Sequence, residues 1–283
     1  MRSFSQDWLD ALRLDRYCSI PDNLSGPSCP IMPWIPPPVP LDIRQAFATQ
    51  THKIEYEPGE LLFNRVQVRN FIFIESGLTG RILGSINGPM AVSPPMRIGA
   101  GNLNWVTSRA AIGRYFAISQ VKAGIVSHAA VEEMTRSNGV DFSRKLSSLI
   151  ELINLSDRLA FAALLQLSAL DRYKALLVSW AFFFGKFHQE GDTLYAKVPL
   201  PARRQQLAKI LNVSLLTVDV VLTELKKTAD YHKEGDFISF QCKSLQQVHD
   251  WMRCCDGEEA YMGRPKFVEE MFLMAQDQDS TVL

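Results

Sequence analysis

The amino-acid sequence predicts an α+β protein with an N-terminal antiparallel β-roll, a long helix and a C-terminal winged helix-turn-helix. Three patterns support this fold class: strand-like runs separated by turn residues, an apolar spacing of alternating four and three, and a compact helix-turn-helix pattern from Arg203 to Lys227. They divide the chain into five segments: an N-terminal helix with a proline-rich linker (1–40), the roll (41–134), the long helix (135–168), the winged helix-turn-helix (169–243) and an acidic extension (244–283).

The composition restricts the class of protein. With 283 residues, of which 47% are hydrophobic, the chain can bury the cores of about two domains. The 30 basic residues balance the 30 acidic ones, so any attraction to nucleic acid must come from a local basic patch. The most apolar run, Ala175 to Gly185, is about half as long as a membrane span, and the N-terminus lacks the uninterrupted apolar segment of a secretory signal. We expect a cytoplasmic protein without a membrane partner.

The cysteine and histidine residues show no spacing typical of a zinc or iron–sulfur site. The sequence also lacks a nucleophile elbow, a phosphate-binding loop and a pair of catalytic carboxylates. We therefore predict no metal, no cofactor, no catalytic residue and no enzymatic activity.

The first 134 residues begin with a short amphipathic helix around Trp8, followed by the proline-dense stretch Pro21 to Pro40. Proline fixes φ and removes an amide donor, so this stretch is expected to be a tether, with a PxxP ligand for a partner as the alternative. Strand-like runs with glycine turns follow, as in "FIFIESGLTGRILGS" and "GRYFAISQVKAGIVS". Such short, turn-punctuated strands predict a small antiparallel roll.

A long helix is predicted next, because apolar and small residues recur at alternating steps of four and three between Phe142 and Leu167. This spacing is typical of helix pairing and predicts a homodimer. The residues predicted for the dimer interface are Phe142, Leu146, Leu149, Ile153 and Ala160. The alternative is a helix that packs only on its own roll.

The helix-turn-helix pattern satisfies each steric demand of that motif. Leu207 and Leu211 share one helix face, and Asn212 falls at the turn, where a left-handed backbone is needed. Ser214 is a good N-cap for the second helix. The inward residues of that helix are expected to be Val218, Val221, Leu222 and Leu225. The following "YHKEGDFISFQ" predicts two strands with a Glu-Gly turn, which would form the wing.

This order of elements, with "LLQLSALDRYKALLVSWAFFFG" and "PLPARRQQLAKILNVSLLTVDVVLTELKK" before the wing, resembles the CRP/FNR family of bacterial transcription regulators. The resemblance spans about Leu41 to Lys243. It implies a homodimer with a cyclic-nucleotide-binding-like sensor and a winged helix that reads palindromic DNA.

The predicted reading helix departs from that family. Its groove-facing residues would be Leu215, Leu216, Thr217, Asp219, Val220 and Thr223, none of which can form the bidentate contacts that specify guanine or adenine. Phosphate contacts would come from the helix end at Ser214 and from nearby cations, including Lys209 and Lys233. The residues predicted to bind DNA are Arg203, Arg204, Ser214, Leu215, Leu216, Thr217, Val220, Lys226 and Lys227.

The predicted sensor departs from the family too. The resemblance implies a Gly-Glu pair for a ribose and an Arg-Ser pair for a cyclic phosphate, whereas the best matches here are Gly99-Ala100 and Arg114-Tyr115. Arg114 alone remains a candidate ligand-binding residue. We do not expect cyclic nucleotide binding.

Two functions follow from these patterns. The first is a DNA-binding transcription regulator of low intrinsic sequence specificity. The alternative is a regulator that contacts a protein partner through Leu215, Leu216 and Val220, since exposed apolar patches often mark interfaces. The extension, with 3 basic and 8 acidic residues, could cover the basic winged helix or bind a partner, or it could be a solvated end with one helix docked on the body of the protein.

Overall fold

A computed structural model describes residues 6–12, 30–36, 39–50, 52–62, 70–82, 90–93, 114–228, 230–256 and 266–277. These residues form two compact units. The roll unit is drawn from residues 35–157, and the winged-helix unit combines the N-terminal helix with residues 31–34 and the chain from residue 158 onward. The division falls inside the long helix rather than at either of its ends.

The roll unit consists of two small antiparallel sheets and three helices. Its elements are α2 (Leu41–Thr49), β1 (His52–Tyr56), β2 (Asn70–Ser76), β3 (Thr79–Ile82), β4 (Met90–Ser93), β5 (Arg114–Ala117), β6 (Val121–Ser127), α3 (His128–Ser137) and the first part of α4 (Gly139–Gln166). The strand orders are β1-β6-β2 and β4-β3-β5. Gly77 makes the turn from β2 to β3 with φ 91°, and a side chain there would collide with the carbonyl oxygen of Gln120. The predicted antiparallel roll is confirmed.

The long helix packs the regularly spaced apolar residues of its first part against its own roll. This packing corrects the prediction that these residues form a dimer interface. Phe71 and Phe73 of β2 belong to the same buried cluster as four of the predicted interface residues, namely Phe142, Leu146, Leu149 and Ile153. Leu149 is 0% exposed and Ile153 is 2% exposed. The fifth predicted residue, Ala160, is also buried. Helix α4 begins at Gly139, whose φ of 80° is not helical. The residues before it, His128–Ser137, therefore form the separate helix α3.

The winged-helix unit is built around one apolar helix and a four-stranded antiparallel sheet. Its elements are α1 (Gln6–Ala11), the rest of α4, α5 (Ala169–Phe184), β7 (Lys186–Glu190), β8 (Thr193–Pro199), α6 (Arg204–Leu211), α7 (Leu215–Lys227), β9 (Tyr231–Glu234), β10 (Phe237–Gln241), a 3₁₀ turn (Cys242–Leu245), α8 (Gln246–Asp256) and α9 (Val268–Asp277). The strand order is β7-β8-β10-β9. Helix α5 is buried between its neighbours, as its sequence predicts. The Trp180 indole donates a hydrogen bond to the Pro199 carbonyl at 2.6 Å, which ties α5 to the end of β8.

The C-terminal extension docks on this unit through two helices. The rings of Phe187 and Phe272 stack with their centroids 4.9 Å apart. The Trp251 indole donates a hydrogen bond to the Gln166 side-chain oxygen at 3.0 Å. The residues of α8 and α9 that are buried here are Val248, His249, Met252, Val268, Met271, Phe272 and Ala275. Of the alternatives stated from the sequence, docking on the body agrees with this packing, although two helices of the described residues dock where one was expected.

No single helix among the described residues is long and apolar enough to cross a membrane. Helices α6 and α7, which are bent by 100° relative to each other, reach that length and composition only as a pair.

Candidate nucleic-acid interface

The turn between α6 and α7 has the geometry that its sequence demands. Asn212 adopts the left-handed conformation, with φ 53° and ψ 55°. The amide of Val213 donates a hydrogen bond to the Ala208 carbonyl at 2.9 Å, which closes the end of α6. The chain then turns through 100° into α7, so α7 projects away from α6 as a separate helix.

The first turn of α7 is capped by Ser214. Its hydroxyl oxygen accepts a hydrogen bond from the Thr217 amide at 3.0 Å, and the two hydroxyl groups lie 2.9 Å apart. The remaining amides of this turn point outward from the positive end of the helix dipole, which attracts phosphate groups. Ser214 and Thr217 therefore have the geometry expected of backbone-binding residues, and their role in DNA binding stays a prediction.

The two faces of α7 are those predicted from the sequence. Of the four predicted inward residues, Val218, Val221 and Leu225 are buried and Leu222 is half-buried. On the opposite face, Leu215 is 42% exposed, Leu216 is 73% exposed and Val220 is 49% exposed. The outward face of α7 therefore carries three exposed apolar side chains in its first two turns, beside the polar Thr217 and Asp219.

Both predicted DNA-binding arginines have carboxylate partners within the unit. Arg203 forms an ion pair with Asp236 in the wing at 2.8 Å, while its own amide donates to the Gln206 side-chain oxygen at 2.9 Å. This arrangement fastens the start of α6 to the turn between β9 and β10. Arg204 forms an ion pair with Asp219 on the exposed face of α7. Asp219 therefore neutralises the charge of Arg204, an effect that helical spacing could not show.

The lysines around α7 differ from these arginines. Among the described residues from 203 to 241, four exposed lysines form no ion pair, and they are Lys209, Lys226, Lys227 and Lys233. They are available for phosphate oxygens without first breaking a protein contact. Lys197, on the neighbouring strand β8, is paired with Glu234 of the wing at 3.3 Å.

The wing itself follows its predicted pattern. Strands β9 and β10 pair antiparallel, with Tyr231 opposite Phe240 and Glu234 opposite Phe237. Gly235 makes the turn with φ 57°. The predicted winged helix-turn-helix is thus complete.

The roll holds a buried ion pair that the sequence analysis missed. Arg81 of β3 pairs with Asp157 of α4, and its Nη1 donates to the Tyr115 hydroxyl at 3.3 Å. Burial lowers the pKa of Arg81, but the interactions with Tyr115 and Asp157 outweigh burial and hold it above its ordinary value. The guanidinium therefore stays charged and connects β3 to α4. The two charges are far apart in sequence, so no local spacing could reveal them.

The predicted ligand residues are only partly described. Arg114 lies on β5, in register with Ile82 of β3. Its neighbour Tyr115 is buried, and its hydroxyl accepts a hydrogen bond from Arg81. Gly99 and Ala100 lie outside the described residues.

These features define a class of protein: a β-roll joined by a long helix to a winged helix-turn-helix. No protein-family model and no curated protein matches the sequence. Solved structures do match. FixK2 from Bradyrhizobium japonicum is 16% identical with a TM-score of 0.55, covering 71% of this chain and 96% of that one. The c-di-GMP responsive global regulator CLP from Xanthomonas campestris is 16% identical with a TM-score of 0.52, covering 70% and 98%.

A mutant of CooA from Carboxydothermus hydrogenoformans is 15% identical with a TM-score of 0.53, covering 72% of this chain and 88% of that one. The identities are low, so the likeness is one of fold. The chain has the fold of the CRP/FNR transcription regulators, and the resemblance stated from its sequence is confirmed at that level.

Proposed function

We propose that this protein is a DNA-binding transcription regulator of CRP/FNR type that holds DNA mainly through its phosphates. The observation that carries the proposal is the complete helix-turn-helix scaffold, in which Asn212, Ser214 and the wing all have the required geometry. A scaffold that meets these demands while exposing the outer face of its second helix is suited to a DNA groove. The structural neighbours support the same class.

Low sequence discrimination follows from the chemistry of the exposed face. A bidentate contact from Arg, Lys, Asn or Gln contributes about 1–3 kcal/mol of discrimination between bases. Leu215, Leu216 and Val220 offer only apolar contact, for which the thymine methyl is the one suitable partner in the major groove. The four unpaired lysines contribute affinity that does not depend on sequence.

We further propose that the regulator is a homodimer. Its interface differs from the one predicted from the sequence, which comprised Phe142, Leu146, Leu149, Ile153 and Ala160. In the C-terminal part of α4, Phe161 is 42% exposed and Leu165 is 85% exposed. The two lie four residues apart and therefore share one helix face. Pairing of this face between two copies would bury both side chains. It would also give the protein two reading helices, as recognition of two DNA half-sites requires.

One observation favours a second candidate function. Leu216 exposes 73% of its surface beside Leu215 and Val220, and contiguous apolar patches of this kind mark protein interfaces. In this alternative, the helix-turn-helix presents the apolar patch to a protein partner instead of DNA.

Two matched variants separate these functions. Leu216→Ser removes the most exposed apolar side chain without changing charge, and Lys226→Gln with Lys227→Gln removes two cations without changing the apolar patch. In fluorescence anisotropy with a random-sequence duplex at low salt, we expect the wild type and Leu216→Ser to bind similarly and the double lysine variant to bind more weakly. Absence of wild-type binding at low salt would reject the DNA function and favour the protein partner.

A further inference from the structure

A cavity of about 290 Å³ lies in the winged-helix unit, on the opposite side of α7 from its exposed apolar face. It is enclosed by α5, the last turns of α7, the first wing strand and the 3₁₀ turn after the wing. Its volume is close to the lower limit for small-molecule sites, which are commonly about 300–1,000 Å³. The cavity is therefore large enough for a small ligand and too small for a nucleotide with its phosphates.

The inner wall of the cavity is apolar. Leu177 of α5, Leu225 of α7 and Phe240 of β10 line it and are buried. Tyr231 also lines it, but its hydroxyl lies 3.3 Å from that of Tyr173, so this polar group already has a partner. An aliphatic or aromatic group would fit this inner wall, because it would leave no polar atom without a hydrogen bond.

The rim carries charges of both signs. Lys174 of α5, Glu224 of α7 and Asp230 beside β9 all line the cavity. Within the described ranges none of these three side chains forms an ion pair, although Lys174 and Asp230 are half-buried. A ligand charge beside Lys174 or Asp230 would offset the cost of their partial removal from water. A cation and two carboxylates without partners around one cavity indicate a ligand that carries both charges.

We propose that this cavity binds a small zwitterion with an apolar body, of which a free aliphatic or aromatic amino acid is the simplest example. The ligand ammonium has three N–H donors, which suit the carboxylates of Glu224 and Asp230, and the ligand carboxylate suits the ammonium of Lys174. The apolar side chain contacts Leu177, Leu225 and Phe240. This site lies in the winged-helix unit and not in the roll, which is the part of the fold expected to be the sensor. Its existence does not depend on DNA binding.

The position of the cavity connects the ligand to the reading helix. Glu224 and Leu225 lie in the last turns of α7, about 14 Å along the helix axis from Leu215. A bound zwitterion would therefore contact α5, α7 and the wing at once without covering the face proposed for DNA. The ligand and the duplex can occupy the unit together.

The site can be tested on the full chain by calorimetry and thermal unfolding, without DNA. The probes are L-leucine, L-norleucine, L-methionine and L-phenylalanine, with glycine, 3-methylbutylamine and 4-methylpentanoate as analogues that lack the apolar body, the carboxylate or the amine. The variants are Lys174→Met and Glu224→Gln, and Lys186→Met is a matched control because Lys186 is an exposed lysine outside the cavity.

We expect at least one of the four amino acids to bind more than tenfold more tightly than glycine and than either single-charge analogue. Lys174→Met and Glu224→Gln should each weaken that binding at least tenfold, while Lys186→Met leaves it unchanged. No binding of any of the four up to about 10 mM, or equal binding by Lys174→Met and the wild type, would overturn the proposal. Because DNA binding is measured separately, failure of this site leaves the proposed function standing, and failure of DNA binding leaves this site standing.

Discussion

Replacement of Asp219 by alanine should strengthen DNA binding, because this carboxylate acts against binding in two ways. It lies on the reading helix, where it repels phosphates, and it neutralises Arg204. The side chains of Arg204 and Asp219 are 55% and 42% exposed, so their ion pair contributes only about 0–1 kcal/mol to folding. The variant should therefore fold normally.

The magnitude follows from the number of phosphate contacts. Each added contact steepens the slope of log affinity against log salt by about 0.9, so one freed Arg204 in each subunit of a dimer steepens it by about 1.8. Between 50 and 200 mM salt, that difference changes the affinity advantage of the variant by about tenfold. The advantage is greatest at low salt.

The assay is fluorescence anisotropy with a random-sequence duplex over this salt range. It compares the wild type, Asp219→Ala, Arg204→Ala and the double variant. In the Arg204→Ala background, the change at Asp219 should no longer alter the slope, because no cation is freed. A slope that stays at the wild-type value in folded Asp219→Ala would show that Arg204 does not reach a phosphate, and would refute this assignment of the reading face.

Three further predictions concern assembly, pH and ligand. Changing Phe161 and Leu165 to Asp should give folded monomers by sedimentation velocity. The same change at the buried Leu149 and Ile153 should instead unfold the roll unit. A wild type that is monomeric at micromolar concentration would refute the dimer. Burial lowers the pKa of His249 to about 4, so the unfolded chain binds the extra proton between about pH 4 and 6.5. The contribution of neutral His249 to the free energy of unfolding is complete above that window and falls by about 3 kcal/mol as the pH drops through it. Urea unfolding of the wild type should show this loss of stability. The same loss in His249→Phe would contradict its assignment to His249. Cyclic AMP should not raise the melting temperature. A ligand that did bind would add about 2.7 kcal/mol to the free energy of unfolding at about a hundred times its dissociation constant, which a melting curve would show. A rise with cyclic AMP but not with AMP would contradict this expectation.

The elements that the sequence predicted well are those whose demands are local. Asn212 and Ser214 identify the helix-turn-helix because a left-handed turn and an N-cap each depend on a few neighbouring residues. The alternation of buried and exposed positions along α7 follows from helical periodicity in the same way. These features could be read without knowledge of the rest of the fold.

The features that the sequence could not give depend on distant partners. The spacing of Leu149 and Ile153 shows that one face of the helix is buried, but it does not show that Phe71 and Phe73 cover that face in place of a second chain. The ion pair of Arg203 joins residues 33 positions apart, so a basic motif counted along the chain overestimates the cations free to bind phosphate. Long-range pairing, rather than local propensity, therefore decides which predicted residues remain available.

The central claim is that the winged helix binds DNA through phosphates and discriminates weakly between sequences. The most direct test measures the affinity of the wild type for a random duplex and for the best duplex recovered by selection from a random pool, each at several salt concentrations. The account predicts a steep, equal salt slope for both duplexes, with an affinity difference below about tenfold, or about 1.4 kcal/mol. A selected duplex preferred by several kcal/mol, or no binding to either duplex at low salt, would contradict it.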